Sequence, residues 1–304
     1  MSEIVINAQN LSKNFYNFDS RLPFIKRFLK RNQITIRAVQ DISFTIKRGS
    51  IVGFIGSNGA GKSTTIKMLT GTLYPSSGKL EVNGEIPFKR SINFRKKISI
   101  VVGNKLQLFQ DVSAMDYFQL IGTLYEVEPA ILQERIQELS NLLNVKDQLY
   151  QQVRTLSLGQ KMKMEFIAAS LTSPEILFLD EPTIGLDIQS KKDIRTFLKK
   201  MNEECHTTII LTSHDMDDIS SVCDELIVID KGKIILQESM DVILSKFSDF
   251  KYLKIKMTLD LVPELCSVKG VVVISQTKSE CILKIPRDFV FETLESINKL
   301  VDIE

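Results

Sequence analysis

The sequence predicts an α/β protein: a mostly parallel sheet covered by helices on both faces, followed by a small α+β appendage. Three observations carry this. Short apolar runs alternate with helical stretches between residues 176 and 229, and strands alternating with helices build parallel sheets. The apolar run Ile51–Ile55 leads through a glycine-rich turn into a helix. From about residue 246 the pattern changes to alternating apolar positions followed by an amphipathic end.

In chain order, residues 3–9, 34–39 and 42–46 are β-rich runs that predict strands. The segment 17–37 between the first two is basic: it carries Arg21, Lys26, Arg27, Lys30, Arg31 and Arg37, with no acid between Asp19 and Asp41. Leu22, Ile25 and Leu29 fall at helical spacing, which predicts a short basic amphipathic helix inserted between two strands. Residues 103–172 are mostly helical in pattern, with Ile136, Leu139 and Leu143 on one apolar face. Strand 176–179, helix 188–203, strand 208–212, helix 215–222 and strand 225–229 follow, then a Lys231-Gly232-Lys233 turn into one more strand. In the appendage Leu253, Ile255 and Met257 alternate, as do Cys281, Leu283 and Ile285, and Val271–Ile274 is a short apolar run. Val290, Leu294, Ile297 and Val301 recur at helical spacing. The domains are therefore placed at 1–245 and 246–304.

Composition narrows the classes. The 304 residues include 39 Lys plus Arg against 37 Asp plus Glu, a net charge of +2. That balance argues against a nucleic-acid coat. Cys205, Cys223, Cys266 and Cys281 form no C-x-x-C pair, so neither a zinc site nor a disulfide framework is expected, and a reduced cytosolic setting fits. The first residues lack the charged and apolar regions of a signal peptide. No apolar run is long enough to span a bilayer, so any membrane part is expected from another chain.

Three motifs carry chemistry. Gly56-Ser57-Asn58-Gly59-Ala60-Gly61-Lys62-Ser63 fits the phosphate-binding pattern G-x-x-x-x-G-K-[ST] between a strand and a helix, with Thr64 in the helix's first turn. Its glycines let backbone N–H groups close round a phosphate, and the helix N-terminus favours the anion. Lys62 would reach the β- and γ-phosphates, and the Ser63 hydroxyl would bind Mg²⁺. Ile176-Leu177-Phe178-Leu179-Asp180-Glu181 is an apolar strand ending in two acids, where Asp180 would hold Mg²⁺ and Glu181 would polarise an attacking water. Leu156-Ser157-Leu158-Gly159-Gln160 opens a helix expected over 161–171 and offers a second anion site.

In that order, and followed by Ser213-His214, these motifs resemble those of the ATP-binding subunits of ABC transporters, over about residues 3–240. The resemblance implies a P-loop NTPase of ABC type, with a mixed or parallel sheet core, an antiparallel β subdomain and a helical subdomain over about 103–172. It implies an ATPase using ATP and Mg²⁺, with His214 contacting the γ-phosphate and Asp187, in Ile184-Gly185-Leu186-Asp187, bridging to a partner subunit. Phe15 resembles the aromatic that stacks on adenine, with Tyr16 adjacent and a core role as the alternative. The family places a Mg²⁺-ligating Gln after the strand that matches Ile98–Val102. Here Asn104, one methylene shorter, holds the matching place, and Gln107 is the substitute nearby.

The resemblance also implies an oligomer. Each ATP in this family lies between the P-loop of one subunit and the Ser-Gly-Gln turn of another, so two chains, identical or different, are needed. Tyr74–Gly78, Asp180–Asp187 and Thr212–Ile219 resemble the subunits of type-2 ABC exporters, mostly bacterial, which implies a separate transmembrane permease and a place on the cytoplasmic face of the plasma membrane. The basic insert reads as a surface excursion, a contact of 21–37 with the permease or anionic headgroups, or a nucleic-acid contact, which the charge balance disfavours. A soluble ABC ATPase acting on ribosomes or DNA, and an importer ATPase, are the competing readings.

Overall fold

The computed structural model describes residues 3–18, 33–248, 250–256, 271–277, 280–286, 289 and 293–294. The chain forms two compact units, Met1–Glu238 and Ser239–Glu304.

In the first unit, β1 (Ile4–Phe18) and β2 (Gln33–Lys47) pair antiparallel, and β1 also pairs antiparallel with β4 (Ser77–Val82). The ladder runs further than the alternating pattern suggests. Phe15 faces Ile36, and pairing continues to Phe18 opposite Gln33, so the strands expected at 3–9 and 34–39 extend toward the insert. Residues 17, 18 and 33–37 of the expected helical insert are strand, because their N–H and C=O groups find partners across the ladder. The expected helix around Leu22, Ile25 and Leu29 lies outside the described residues.

The second sheet is six-stranded, in the order β5-β6-β7-β3-β8-β9. Its strands are β3 (Ile51–Ile55), β5 (Ile98–Val102), β6 (Ile176–Asp180), β7 (Thr208–Ser213), β8 (Glu225–Asp230) and β9 (Lys233–Ser239). The pairs β5–β6, β6–β7, β7–β3 and β3–β8 are parallel. Central strands of such sheets have helices on both sides and so read as continuous apolar runs; every residue of β6 and β7 is buried. The main core lies between this sheet and the antiparallel one, where Ile6, Leu11, Ile42 and Ile46 meet Phe54, Phe178 and Ile210. Burying each such side chain contributes about 1.5–3 kcal/mol.

The helices are α1 (Lys62–Leu69), α2 (Ile92–Lys97), α3 (Ala114–Leu124), α4 (Pro129–Leu142), α5 (Leu158–Ser170), α6 (Ile188–Cys205) and α7 (Met216–Val222). Side-chain caps fix where several begin. Ser113 and Asp116 form a capping box on α3. Ser157 and Gln160 form another on α5, which therefore starts ahead of the expected residue 161. His206, expected in a helix-to-strand joint, is the exposed left-handed residue that ends α6.

The second unit holds α8 (Met240–Ser248) and an antiparallel sheet ordered β10 (Phe250–Lys256), β12 (Glu280–Pro286), β11 (Val272–Gln276). Cys281, Leu283 and Ile285 alternate into a small core with Val271, Leu253 and Ile255. Met257 and Cys266, and the helix expected from Val290 to Val301 apart from Thr293 and Leu294, lie outside the described residues.

Candidate nucleotide site

The P-loop turn joins β3 to α1. Gly59 and Gly61 have φ of 82° and 111°, a left-handed backbone that glycine adopts without strain. Gly61 is the residue that starts α1. A side chain there would press on the Ala38 carbonyl oxygen, 2.6 Å from where a Cβ would stand, so β2 closes over the turn.

Lys62 is only 5% exposed. Its ammonium donates to the Gly56 carbonyl at 2.7 Å and lies 3.5 Å from Glu181 Oε1. Ser63 Oγ donates to Asp180 Oδ1 at 2.8 Å, and Thr212 Oγ1 donates to the same oxygen at 2.7 Å. Glu181 begins the turn after β6 with φ of 51°, unusual for a residue with a side chain. Its N–H is held by Thr212 Oγ1 at 3.0 Å. His214 Nδ1 stands 2.7 Å from Glu181 Oε2. The glutamate therefore sits between a lysine on one side and a histidine on the other, at the carboxyl ends of parallel strands where ligands of such sheets bind.

These groups surround a cleft of about 410 Å³, lined by residues 57–64 together with Ala38, Asn104, Glu181, Ile184 and His214. Gln107 turns elsewhere and donates to the Ile100 carbonyl at 2.9 Å. Phe15 is 38% exposed rather than in the core, its ring 5.3 Å from Lys13 Nζ, and it is not among the residues lining the cleft. Ser63 and Asp180 bring together a hydroxyl and a carboxylate oxygen, hard donors of the kind Mg²⁺ takes.

Ser157, Gly159, Gln160 and Asp187 form a separate group. Ser157 Oγ accepts the Gln160 N–H, and Gln160 Oε1 accepts that of Ser157. Asp187 accepts the N–H and hydroxyl of Ser190, which hold its carboxyl below the usual range. A Cβ on Gly159 would overlap the Ser190 hydroxyl and stand 3.2 Å from Asp187 Oδ2, so the two turns are in contact. None of these four residues lines the cleft.

Several positions in and around the site hold roles that the sequence alone does not assign to them. Ala38 comes from β2, far along the chain. Thr212 is one of several polar strand residues, and only its bonds to Asp180 and Glu181 single it out. Asp218, 3% exposed, accepts from Thr183 at 2.5 Å and from Arg195, and so fastens the segment after Glu181 to α6 and α7.

The comparisons agree with this geometry. A family model described as ABC transporter matches residues 39–184. The ABC transporter ATP-binding protein NatA of Bacillus subtilis (strain 168) is 32% identical over 216 residues, 71% of this chain and 87% of that protein. The linearmycin resistance ATP-binding protein LnrL of the same organism is 34% identical over 197 residues, 65% of this chain and 63% of that protein. The solved structure of cbiO1 from Clostridium perfringens, described as part of the ABC transporter complex cbiONQ, matches with a TM-score of 0.66 at 26% identity, over 80% of this chain and 92% of that one. Sheet order, glycine turn and acid pair define a P-loop nucleotide-binding ATPase. The chain belongs to the ATP-binding subunits of ABC transporters. Among the described residues no helix is long and apolar enough to cross a membrane.

Proposed function

We propose that this chain is the motor of an exporter, closing as a head-to-tail dimer on ATP beneath a separate transmembrane permease. One observation carries the dimer: among the described residues, a single chain holds one phosphate cleft and one Ser157–Asp187 group that is not part of that cleft. Two chains, identical or different, bring each cleft against the other's Ser-Gly-Gln turn. The resistance function in the name of LnrL supports export. The protein is placed at the cytoplasmic face of a bacterial plasma membrane.

Within the cleft, Lys62 and the N–H groups of residues 57–63 bind the phosphates. Glu181 orients the attacking water and accepts its proton, and His214 holds the glutamate on its far side. Ser63, Asp180 and Asn104 would hold Mg²⁺, which when bound supplies positive charge against the phosphate oxygens. Phe15 is proposed for adenine and Asp187 for the partner contact. Asn104 rather than Gln107 takes the place of the family's glutamine, since it lines the cleft while Gln107 is bonded to Ile100. Asn104→Ala is expected to lower ATP turnover roughly tenfold and raise the Mg²⁺ concentration needed. Unchanged turnover and Mg²⁺ dependence would rule this role out.

The whole reading is tested by gentle detergent purification of the tagged protein from its native membranes. A multi-helix protein at about one-to-one is the expected companion. Recovery only from the soluble fraction, with ribosomal proteins, DNA or nothing, would overturn it. Reversing the charges of Lys26, Arg27, Lys30 and Arg31 is expected to reduce that co-purification while sparing ATP binding, since an anionic headgroup surface attracts each basic residue by about 1 kcal/mol.

A further inference from the structure

Glu165 lies in α5, downstream of the Ser157–Gln160 cap, and is 5% exposed. A buried carboxylate needs partners, and here the partners are backbone. Its Oε1 accepts the N–H of Gln107 and, at 2.8 Å, that of Leu108. Burial pushes the Glu165 carboxyl up, against the two N–H bonds that favour its ionised form. It also lines a second cleft, of about 230 Å³, with Gln107, Tyr117 and Arg95.

The loop it holds is the one that leaves β5. That loop begins at Gly103, whose N–H donates to the Asp180 carbonyl at 2.8 Å. Asn104 follows and lines the nucleotide cleft. Gln107 and Leu108 come next, fastened to α5 by Glu165. One end of the loop is therefore bonded to the strand that carries Asp180. The other is bonded to the helix that carries Ser157 and Gln160. We infer that Glu165 is a positioning residue: by holding the backbone at Gln107–Leu108 it sets where Asn104 stands beside the nucleotide and ties that loop to the Ser-Gly-Gln helix. This rests on the cleft being the ATP site.

The test uses the full chain in a steady-state ATPase assay. Glu165→Ala removes the acceptor. Glu165→Gln keeps an amide oxygen at the same reach. The Ala variant is expected to lose roughly ten- to a hundredfold in kcat, the scale of effect of a small displacement of a site group. Its KM for ATP should stay within about twofold of the parent, because the P-loop is untouched. The Gln variant should recover most of the lost kcat. A folded Ala variant with parental kcat, or one whose KM rises as much as its kcat falls, would overturn the inference. If the Ala variant does not fold, hydrogen exchange on the parent decides. Slow exchange at the amides of Gln107 and Leu108 is expected, and exchange at the rate of an unstructured peptide would refute it. Lys62→Ala in the same assay separates the two levels. Turnover that survives it refutes the site itself, whereas a silent Glu165→Ala beside an inactive Lys62→Ala refutes only the positioning role.

Discussion

Glu181→Gln is expected to lower ATP turnover by roughly a hundred- to ten-thousandfold, the range a positioned general base supplies, while leaving ATP binding close to that of the parent. The reason is in the geometry. Glu181 does not hold the phosphate-binding turn; Lys62 is fastened by the Gly56 carbonyl at 2.7 Å whatever stands at 181. The amide keeps the size of the carboxylate and still offers an oxygen to His214, now 2.7 Å away. What it loses is the capacity to take a proton from water. The nucleotide then binds and stays, so the variant should run as a dimer on size exclusion with ATP and Mg²⁺, and as a monomer without them. A variant that remains monomeric with ATP and Mg²⁺ would contradict closure of two chains around the nucleotide. A variant that hydrolyses at the parental rate would remove Glu181 from the base role.

Gly103→Ala is expected to be nearly as damaging, although no motif marks it. Gly103 follows β5, where the chain passes against the turn after β6. A Cβ there would overlap the Glu181 carbonyl oxygen, stand 2.8 Å from its carbon and 3.1 Å from Ile184 Cγ2. Backbone cannot step aside as a flexible side chain can. The two strand ends must part, breaking the bond from Gly103 N–H to the Asp180 carbonyl and carrying Asn104 away from the cleft. Forcing an extra carbon into a filled site costs about 1–3 kcal/mol, and a displaced catalytic turn costs roughly a hundredfold in rate. Thermal melting and ATP turnover measure the two. Gly84→Ala is the control. Gly84 has φ of 73° but open space around its Cβ position, so it should lose about 1–2 kcal/mol to backbone strain and no turnover. Parental activity in Gly103→Ala would mean that the close approach does not matter.

The elements visible in the residues alone are those whose cause is local. The P-loop depends on glycines at 56, 59 and 61, on an apolar strand before them and on a helix after them, all within a few residues of one another. β6 and β7 are buried throughout, and their apolar runs Ile176–Leu179 and Ile209–Leu211 announce them, because both faces of a central parallel strand are covered. The start of α5 also has a local cause, the capping box between Ser157 and Gln160, yet the helix expected from the sequence starts only at residue 161. The appendage strands were legible in the same way, from alternation at Cys281, Leu283 and Ile285.

Other features depend on the chain returning to the same place. The length of β1 and β2 is set by their pairing up to Phe18 and Gln33, not by the polar residues within them. The motif match puts Asn104 at the place of the family's glutamine with Gln107 as the alternative; that Asn104 lines the cleft while Gln107 is bonded to the Ile100 carbonyl is visible only in the fold, and it supports the proposal made for Asn104. Thr212 reaches Asp180 and Glu181 only because β6 and β7 are adjacent in the sheet. Glu165 looks like an ordinary helix acid until α5 buries it against the amides of Gln107 and Leu108. A motif records a backbone conformation and a side-chain type, which short-range sterics and hydrogen bonding specify. The partner of a buried polar group is whatever residue the packed elements bring within about 3 Å, and only the folded chain settles that.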